Sequence, residues 1–139
     1  GVVYKSVLNE EKFKKLPLII ADGGIKEPQD INKALALGAD LCMMGSVFVP
    51  TDESPAEIIK FNNQLYKKYR GAASFGVQKE HTGEKPKYSE GDETLIQYTP
   101  NVSVSKVISR YKAGLQSAMS YMNATNLTDF RKNVSFMEI

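Results

Sequence analysis

The sequence has little of several features that would each define a class of protein. It contains one cysteine, one histidine and no tryptophan in 139 residues. A single cysteine excludes an internal disulfide framework and is typical of a reducing compartment, so we expect a cytoplasmic protein. A single histidine excludes a His-rich metal site. No apolar run approaches the roughly 18 residues of a transmembrane helix, and the first residues lack the pattern of a signal peptide.

Charge and composition are those of an average globular domain. Lys and Arg number 18 and Asp and Glu number 16, which leaves a net charge of +2. This small excess gives no reason to expect binding to nucleic acids or membranes. The apolar fraction of 42% and the charged fraction of 24% predict a packed chain rather than a disordered one. The length alone indicates one domain.

Two mostly apolar segments flank one helical segment near the start of the chain. Leu16–Ala21 and Ala39–Met44 do not alternate between apolar and polar residues, which is typical of strands buried on both faces of a parallel sheet. Between them, Pro28 suits the first turn of a helix and Gly38 suits the position after its end. We therefore predict a helix over Gln29–Leu37 and a right-handed βαβ unit.

The segment after the second predicted strand allows two interpretations. Ser54–Glu57 resembles a capping box with proline in the first helical turn, which favours a helix through Tyr69. Alternatively, Glu57–Phe61 and Leu65–Tyr69 flank Asn62–Gln64, which is typical of a β-hairpin.

The second half of the chain combines a long polar segment with helices. Residues 75–94 contain nothing that can build a core and predict a long loop. Apolar residues at three- and four-residue spacing over residues 104–122 predict a helix of five turns. A short helix over Leu127–Lys132, capped by Asn126 or the residue before it, is expected next. The alternating segment Val134–Ile139 predicts an edge strand.

Both predicted strands end in a glycine turn. The first turn reads Asp22-Gly23-Gly24 and the second reads Met44-Gly45-Ser46. Ligands bind beyond the carboxyl ends of parallel strands, and glycine lets backbone N–H groups approach a phosphate. A carboxylate repels phosphate but accepts hydrogen bonds from ribose hydroxyls. The turns therefore predict a nucleoside monophosphate, with its ribose on Asp22 and its phosphate on Gly24, Gly45 and Ser46. Alternatively, the glycines only shape tight strand-to-helix turns.

A longer series of motifs runs through the whole chain in a recognisable order. In chain order they are Ile19–Lys26, Asp30-Ile31, Lys33–Ala36, Gly38-Ala39, Met43–Ser46, Thr51–Pro55, Tyr66-Lys67, Tyr69–Ser74, Glu90-Gly91, Tyr98, Gly114–Ser117 and Ser120-Tyr121. This series resembles the IMP dehydrogenase / GMP reductase family. The pair Ala-Asp-Gly-Gly-Ile and Met-Gly-Ser at this spacing is its most specific part.

The resemblance implies an α/β fold, the C-terminal portion of a (β/α)8 TIM barrel. Residues 1–74 would carry strands 7 and 8, namely Leu16–Ala21 and Ala39–Met44, with the phosphate site. Residues 75–100 would form a flap-like loop, and residues 101–139 the final helices and a terminal strand. A whole barrel needs roughly 250 residues, so we expect the preceding part of the barrel to be a partner of these 139 residues.

The resemblance also implies an oxidoreductase of purine nucleotides. An NAD-dependent IMP dehydrogenase, which converts IMP to XMP, is favoured. The alternatives are an NADPH-dependent GMP reductase, which converts GMP to IMP, and a non-catalytic homologue that binds purine nucleotides. The family further implies a homotetramer and a monovalent cation bound mainly outside this chain. Its nucleophilic cysteine lies before strand 7, where residues 1–16 contain none, so this chain alone is expected to be inactive.

The two enzymatic branches are distinguished by few residues here. Tyr69-Arg70-Gly71 and Phe75-Gly76 are similar to the dehydrogenase. The short segment from Phe75 to Tyr98 contains no arginine and is more similar to the reductase, as is the helix motif Leu115–Ser117.

The resemblance assigns site residues by position. Asp22 would bind the ribose, and the phosphate turns would comprise Gly23, Gly24, Met44, Gly45 and Ser46. The mononucleotide would be lined by Tyr69, Gly71, Ala72 and Ala73, and the purine base would be reached by Glu90. No metal site and no catalytic residue are expected within the chain.

Three other features receive structural interpretations. Cys42 lies within a predicted strand and is expected to be a small core side chain. His81 is expected to be a solvated residue of the polar loop. Lys67, Lys68 and Arg70 form a basic cluster that is expected to be solvated, with Arg70 a further candidate for stabilising a turn or a phosphate.

Overall fold

The computed structural model describes residues 17–71, 74, 77, 79, 81, 83 and 93–137. Its strands are β1 (Ile20–Asp22), β2 (Leu41–Met43), β3 (Ile58–Phe61), β4 (Gln64–Arg70) and β5 (Glu93–Gln97). Its helices are α1 (Pro28–Ala36), α2 (Val104–Tyr121) and α3 (Leu127–Asn133), with a short 3₁₀ turn over Ser46–Phe48. This is a mixed α/β structure, which confirms the predicted class, while the barrel and the subdivision at residues 74 and 100 stay predictions.

The chain divides into two compact units. The first unit comprises the described residues up to Met44 together with those from Ile108 onward. The second unit comprises the described residues of Gly45–Val107. Each unit has its own sheet, since β1 pairs with β2 and the order in the other sheet is β3-β4-β5.

The first unit contains the predicted strand–helix–strand motif. β1 and β2 are parallel, with Ala21 opposite Cys42. Helix α1 begins at Pro28. Glu27, directly before the helix, and Asp30, its third residue, form a reciprocal capping box. Gly38 follows the helix with φ of +112°, a conformation that L side chains rarely adopt. The prediction of a parallel pair joined by a helix is therefore confirmed, with helix ends shifted by one residue.

The expected burial of both strand faces is wrong. Leu18 is 73% exposed and Ile20 48%, while Leu41 and Met43 on β2 are 53% and 50% exposed. Among the described residues, this sheet contains two strands, so each strand keeps an open edge and few side chains cover its faces. The apolar runs indicate the strands correctly, but the described residues do not supply a core on both sides.

The core of the first unit is formed instead by its helices and by the segments on either side of α1. The buried apolar side chains are those of Ile25, Leu35, Ala39, Tyr111 and Phe130. Helix α2 buries Tyr111, but Ile108 on its predicted apolar stripe is 51% exposed. The long helix is thus confirmed, although its buried stripe is narrower than the spacing predicts.

The end of the chain differs from the prediction. Asn126 caps α3 by accepting a hydrogen bond from the backbone N–H of Asp129, which confirms the predicted cap. The expected edge strand over Val134–Ile139 is wrong for residues 134–137, which follow α3 without strand pairing. The last two residues lie outside the described part.

The second unit is a three-stranded antiparallel sheet. β3 and β4 form a hairpin whose turn residues Asn62 and Asn63 have φ of +47° and +61°. Two consecutive positive φ values match the right-handed twist of the strands, so the hairpin is confirmed and the alternative helix is wrong. β5 pairs with β4 and was not expected, because Glu93–Gln97 falls within the predicted flap-like loop.

Candidate functional site

The turn after β1 leaves open space around its backbone. Gly23 and Gly24 have φ of +90° and +72°, and a Cβ added at either would meet nothing within 4 Å among the described residues. Asp22, the last residue of β1, is exposed and lies opposite Met43 of β2. A carboxylate beside two glycines with open space at their Cβ positions is an arrangement that can bind a ligand that combines hydroxyls with an anion.

Helix α2 holds the far end of this turn in place. The hydroxyl of Tyr111 donates to the carbonyl of Lys26 at 2.6 Å, and Arg110 forms an ion pair with Glu27. Burial raises the pKa of Tyr111, which favours the protonated hydroxyl that donates this bond. Two side chains of one helix therefore fix the backbone that directly follows the glycines.

An arginine and a carboxylate fix the start of the same two strands. Arg131 of α3 donates to the carbonyl of Ala39 and to Oδ1 of Asp40, the second at 3.1 Å. Oδ2 of Asp40 accepts the backbone N–H of Ile19 at 3.0 Å. The Ile19 bond, followed by the bond from Arg131, holds the pKa of Asp40 below its usual range. This link fixes the starts of β1 and β2 relative to each other.

The second glycine turn is in contact with β4. A Cβ added at Gly45 would lie 3.6 Å from the hydroxyl oxygen of Tyr69, an ordinary van der Waals distance. Gly45 has φ of −118° and precedes the 3₁₀ turn that begins at Ser46. Gly45 therefore needs no positive φ, and an absent Cβ leaves the turn free to approach a ligand. The structure thus brings together two of the predicted site residues, Gly45 and Tyr69.

The other predicted site residues are placed as follows. Met44 is half-buried directly before Gly45, and Gly71 is buried directly after β4. Asp22, Gly23 and Gly24 belong to the first unit with Met44, whereas Gly45, Ser46, Tyr69 and Gly71 belong to the second. The predictions for Ala72, Ala73 and Glu90 fall outside the described residues.

Lys67 contradicts the prediction of a solvated basic cluster. It is 2% exposed, and its ammonium donates to the carbonyls of Thr51 at 2.6 Å and Ser54 at 2.9 Å. Burying an ammonium is unfavourable unless hydrogen bonds replace its water, and these carbonyls do so. Lys68 and Arg70 are exposed as expected.

Sequence reasoning missed Lys67 although the sequence contains a signal for it. Side chains alternate between the faces of a strand, and Lys67 stands between Leu65 and Tyr69, two apolar residues of the same face. A lysine on that face is therefore expected to be at least partly covered. Thr51 is fully buried but carries no such local signal, because it lies in a loop. Its partners are Phe48 in the short 3₁₀ turn and Lys67 on β4.

Two reactive side chains behave as structural residues. Cys42 is half-buried, and burial raises the pKa of its thiol, so the nucleophilic thiolate is disfavoured at neutral pH. His81 is exposed. Within the described part of the chain, no group of three or more His, Cys, Asp or Glu side chains could hold a metal ion. No helix there is long and apolar enough to cross a membrane.

Comparison with known proteins identifies relatives over nearly the whole chain. The family model for the IMP dehydrogenase / GMP reductase domain matches residues 2–139. A protein of Chlorobaculum tepidum named inosine-5'-monophosphate dehydrogenase is 40% identical over 140 aligned positions, which cover 94% of this chain and 28% of that protein. Proteins of the same name from Chlorobaculum parvum and Halobacterium salinarum are 39% and 34% identical, each over 87% of this chain and 26% of its own length.

These matches test the resemblance that the motifs suggest. The family model covers both glycine turns and the hairpin, and the chain spans about a quarter of the length of the curated relatives that it matches. The predicted family is confirmed: this chain belongs to the IMP dehydrogenase / GMP reductase family.

Proposed function

We propose that this chain contributes the phosphate- and ribose-binding part of an IMP dehydrogenase, which oxidises IMP to XMP. The observation that carries the proposal is the turn after β1, where the exposed carboxylate of Asp22 precedes two glycines with open space around them. Relatives at 34–40% identity are named inosine-5'-monophosphate dehydrogenase, which favours the dehydrogenase over the reductase.

Each predicted residue receives one role in this proposal. Asp22 accepts hydrogen bonds from the two ribose hydroxyls, since a carboxylate has two acceptor oxygens. The phosphate binds backbone N–H groups of Gly24, Gly45 and Ser46, and Gly23 and Met44 complete the nucleotide site in the same two turns. The mononucleotide contacts Tyr69, Gly71, Ala72 and Ala73, and Glu90 reaches the base. These groups bind and orient the substrate, so their contribution to catalysis is positioning.

The chemical step requires groups that we assign outside this chain. Cys42, the single cysteine, is half-buried with a raised thiol pKa, so we propose that a preceding barrel segment supplies the nucleophilic thiolate. NAD would accept the hydride in the dehydrogenase and NADPH would donate it in the reductase. We assign none of the described residues to the nicotinamide cofactor. The tetramer, the bound monovalent cation and the cytoplasmic location stay predictions.

A turnover assay of the full-length protein that contains this chain separates the alternatives. We expect IMP and NAD to give XMP, with the reaction followed by the absorbance of the NADH that forms. Formation of IMP from GMP and NADPH would assign the reductase instead. Nucleotide binding without turnover in either direction would assign a non-catalytic homologue.

Gly45→Ala tests the phosphate turn with little effect on the fold. The added Cβ would meet the Tyr69 side chain at 3.6 and 3.9 Å and φ is negative, so we expect the melting temperature to stay close to that of the wild type. The methyl group would keep a phosphate from the backbone, and we expect affinity for IMP to fall by at least ~10-fold, about 1.4 kcal/mol. Unchanged affinity would remove Gly45 from the site.

A further inference from the structure

Lys67 occupies the centre of the small antiparallel sheet. It lies on the middle strand, β4, opposite Ile58 of β3 and Ile96 of β5. The side chain is 2% exposed. A methionine or leucine would fill such a position without an ammonium to desolvate, so the sheet needs a reason to hold a charged group there.

The ammonium of Lys67 holds one loop segment against the sheet. It donates to the carbonyls of Thr51 and Ser54 at 2.6 and 2.9 Å. It also lies 4.6 Å from the ring centroid of Tyr98, a distance at which a cation is attracted to an aromatic face. The Tyr98 hydroxyl donates in turn to Oδ1 of Asp52 at 2.7 Å. Residues 51–54 are thus attached to Lys67 directly and through the Tyr98 ring.

A continuous series of hydrogen bonds leads from this segment to the second glycine turn. The Thr51 hydroxyl donates to the carbonyl of Phe48 at 2.7 Å. The backbone N–H of Phe48 donates to the carbonyl of Gly45 at 3.0 Å. Thr51 is fully buried, so water does not compete for its hydroxyl. These hydrogen bonds therefore couple the position of Thr51 to that of the turn at Gly45 and Ser46.

The same strand comes close to this turn at a second point. Tyr69 lies two residues after Lys67, on the same face of β4. Its hydroxyl oxygen lies 3.6 Å from the position that a Cβ on Gly45 would take. The turn therefore lies beside β4 at Tyr69 and is linked to β4 through Lys67, Thr51 and Phe48.

We propose that Lys67 is a positioning residue for phosphate recognition: its buried ammonium holds Thr51, and through Thr51 the Gly45–Ser46 turn, in the geometry that binds the phosphate of the nucleotide. This inference rests on the proposed function, which places the phosphate at that turn. Lys67 acts through the turn and is not assigned a contact with the substrate.

The test compares IMP with inosine, the matching nucleoside that lacks the phosphate. The dissociation constants of both are measured by calorimetry for the full-length wild type, Lys67→Met and Lys68→Met. Lys68 is the matched control, because it is the adjacent lysine, with a side chain 41% exposed and paired with Glu93. The ratio of the dissociation constant of inosine to that of IMP measures how much the phosphate contributes to binding.

We expect Lys67→Met to reduce this ratio by at least ~10-fold, by weakening IMP binding while inosine binding stays nearly constant. Lys68→Met should leave the ratio unchanged. An unchanged ratio in folded Lys67→Met, or equal weakening of both ligands, would overturn the positioning role. A wild-type ratio near one would instead refute the proposed phosphate site itself.

Thr51→Val tests the next step of the series if Lys67→Met fails to fold. Valine has the shape of threonine but lacks the hydroxyl that donates to the Phe48 carbonyl, which then keeps only its 3.2 Å hydrogen bond from the backbone N–H of residue 51. We expect Thr51→Val to lower the ratio in the same direction as Lys67→Met, but by less. In the double variant Lys67→Met/Thr51→Val, the two effects should not add, because both act through one path. A full wild-type ratio in folded Thr51→Val would contradict transmission through the Thr51 hydroxyl.

Discussion

The two units of the chain are stabilised by different kinds of interaction. In the first unit, glycines, a proline and helix caps define the backbone, and polar side chains such as Asp40 and Arg131 join the elements from partly exposed positions. In the second unit, a buried lysine and a buried threonine lie among the elements themselves. The hydrogen bonds of the first unit join residues far apart in sequence, such as Tyr111 with Lys26 and Arg131 with Ala39. Those of the second unit join a lysine that is 2% exposed to loop residues much closer in the chain.

This difference predicts how each unit responds to substitution. A unit whose helices pack closely and whose linking side chains are partly exposed is sensitive to added volume and to changes in its ion pairs. A unit held by a buried ammonium is sensitive to the loss of any one partner, because the remaining polar group stays buried without a hydrogen bond. The comparison can be tested with substitutions in the full-length protein.

The largest effect is expected for Gly114→Ala in the first unit. A Cβ at Gly114 of α2 would lie 2.5 Å from the Cβ of Pro28 on α1, a distance that forces the two helices apart. We expect the free energy of unfolding to fall by about 1–3 kcal/mol, measured by urea denaturation.

Ser117→Ala is the control for Gly114→Ala. Ser117 is exposed on the same helix, and alanine there should leave stability unchanged or raise it slightly. A wild-type stability for Gly114→Ala would show that the two helices can separate freely, and the first unit would then not depend on this contact.

A smaller, pH-dependent effect is expected for Asp40→Asn. The backbone N–H of Ile19, and then Arg131, lower the pKa of Asp40 in the folded state. A carboxyl whose pKa is lower in the folded than in the unfolded state stabilises the protein at pH values above its unfolded pKa of about 3.9. This stabilisation is lost as the pH falls through the folded-state pKa. We therefore expect Asn to reduce stability by about 1 kcal/mol at neutral pH, with the difference disappearing in acid.

The measurement for Asp40 is urea denaturation at a series of pH values. The exposed Glu57→Gln serves as a control for the general effect of removing one carboxylate. A stability difference between Asp40→Asn and the wild type that persists unchanged in acid would contradict the link from Arg131 to Ile19.

The last effect, no larger than that at Asp40, is expected in the hairpin of the second unit. Asn63 has φ of +61°, where alanine is disfavoured by roughly 1 kcal/mol and glycine is not. Asn63→Ala should therefore lower the melting temperature, and Asn63→Gly should leave it equal or slightly higher. If both variants melt alike, backbone conformation at this turn does not contribute to the stability of the second unit.

Much of the first unit could be predicted because its signals are local. Pro28 and Gly38 define the ends of α1, the glycines after Asp22 define a turn, and Asn126 caps α3. The burial of the strands could not be predicted from their apolar runs, since burial depends on which other elements cover them. Ile20 and Leu41 are about half exposed although both lie in apolar segments.

The second unit was less predictable because the pairing of β5 and the hydrogen bonds of Lys67 involve segments that the local sequence does not identify. The turn at Asn62 and Asn63 favoured the hairpin correctly, but β5 is a mostly polar strand that is defined by its pairing with β4. Lys67 resembles a surface residue by type and becomes a core residue through two loop carbonyls. Of the predicted site, the structure shows the open turn after Asp22 and the contact of Gly45 with Tyr69.

The dissociation constant of IMP for Asp22→Ala tests the central claim most directly. Asp22 is exposed at the end of β1, so its removal should leave the fold intact. Loss of two hydrogen bonds to a charged acceptor, worth about 1.5–3 kcal/mol each, predicts affinity at least ~100-fold weaker than in the wild type. Asp22→Asn, which keeps one acceptor oxygen, should fall between the two. An IMP affinity equal to that of the wild type in Asp22→Ala would contradict the proposed nucleotide site.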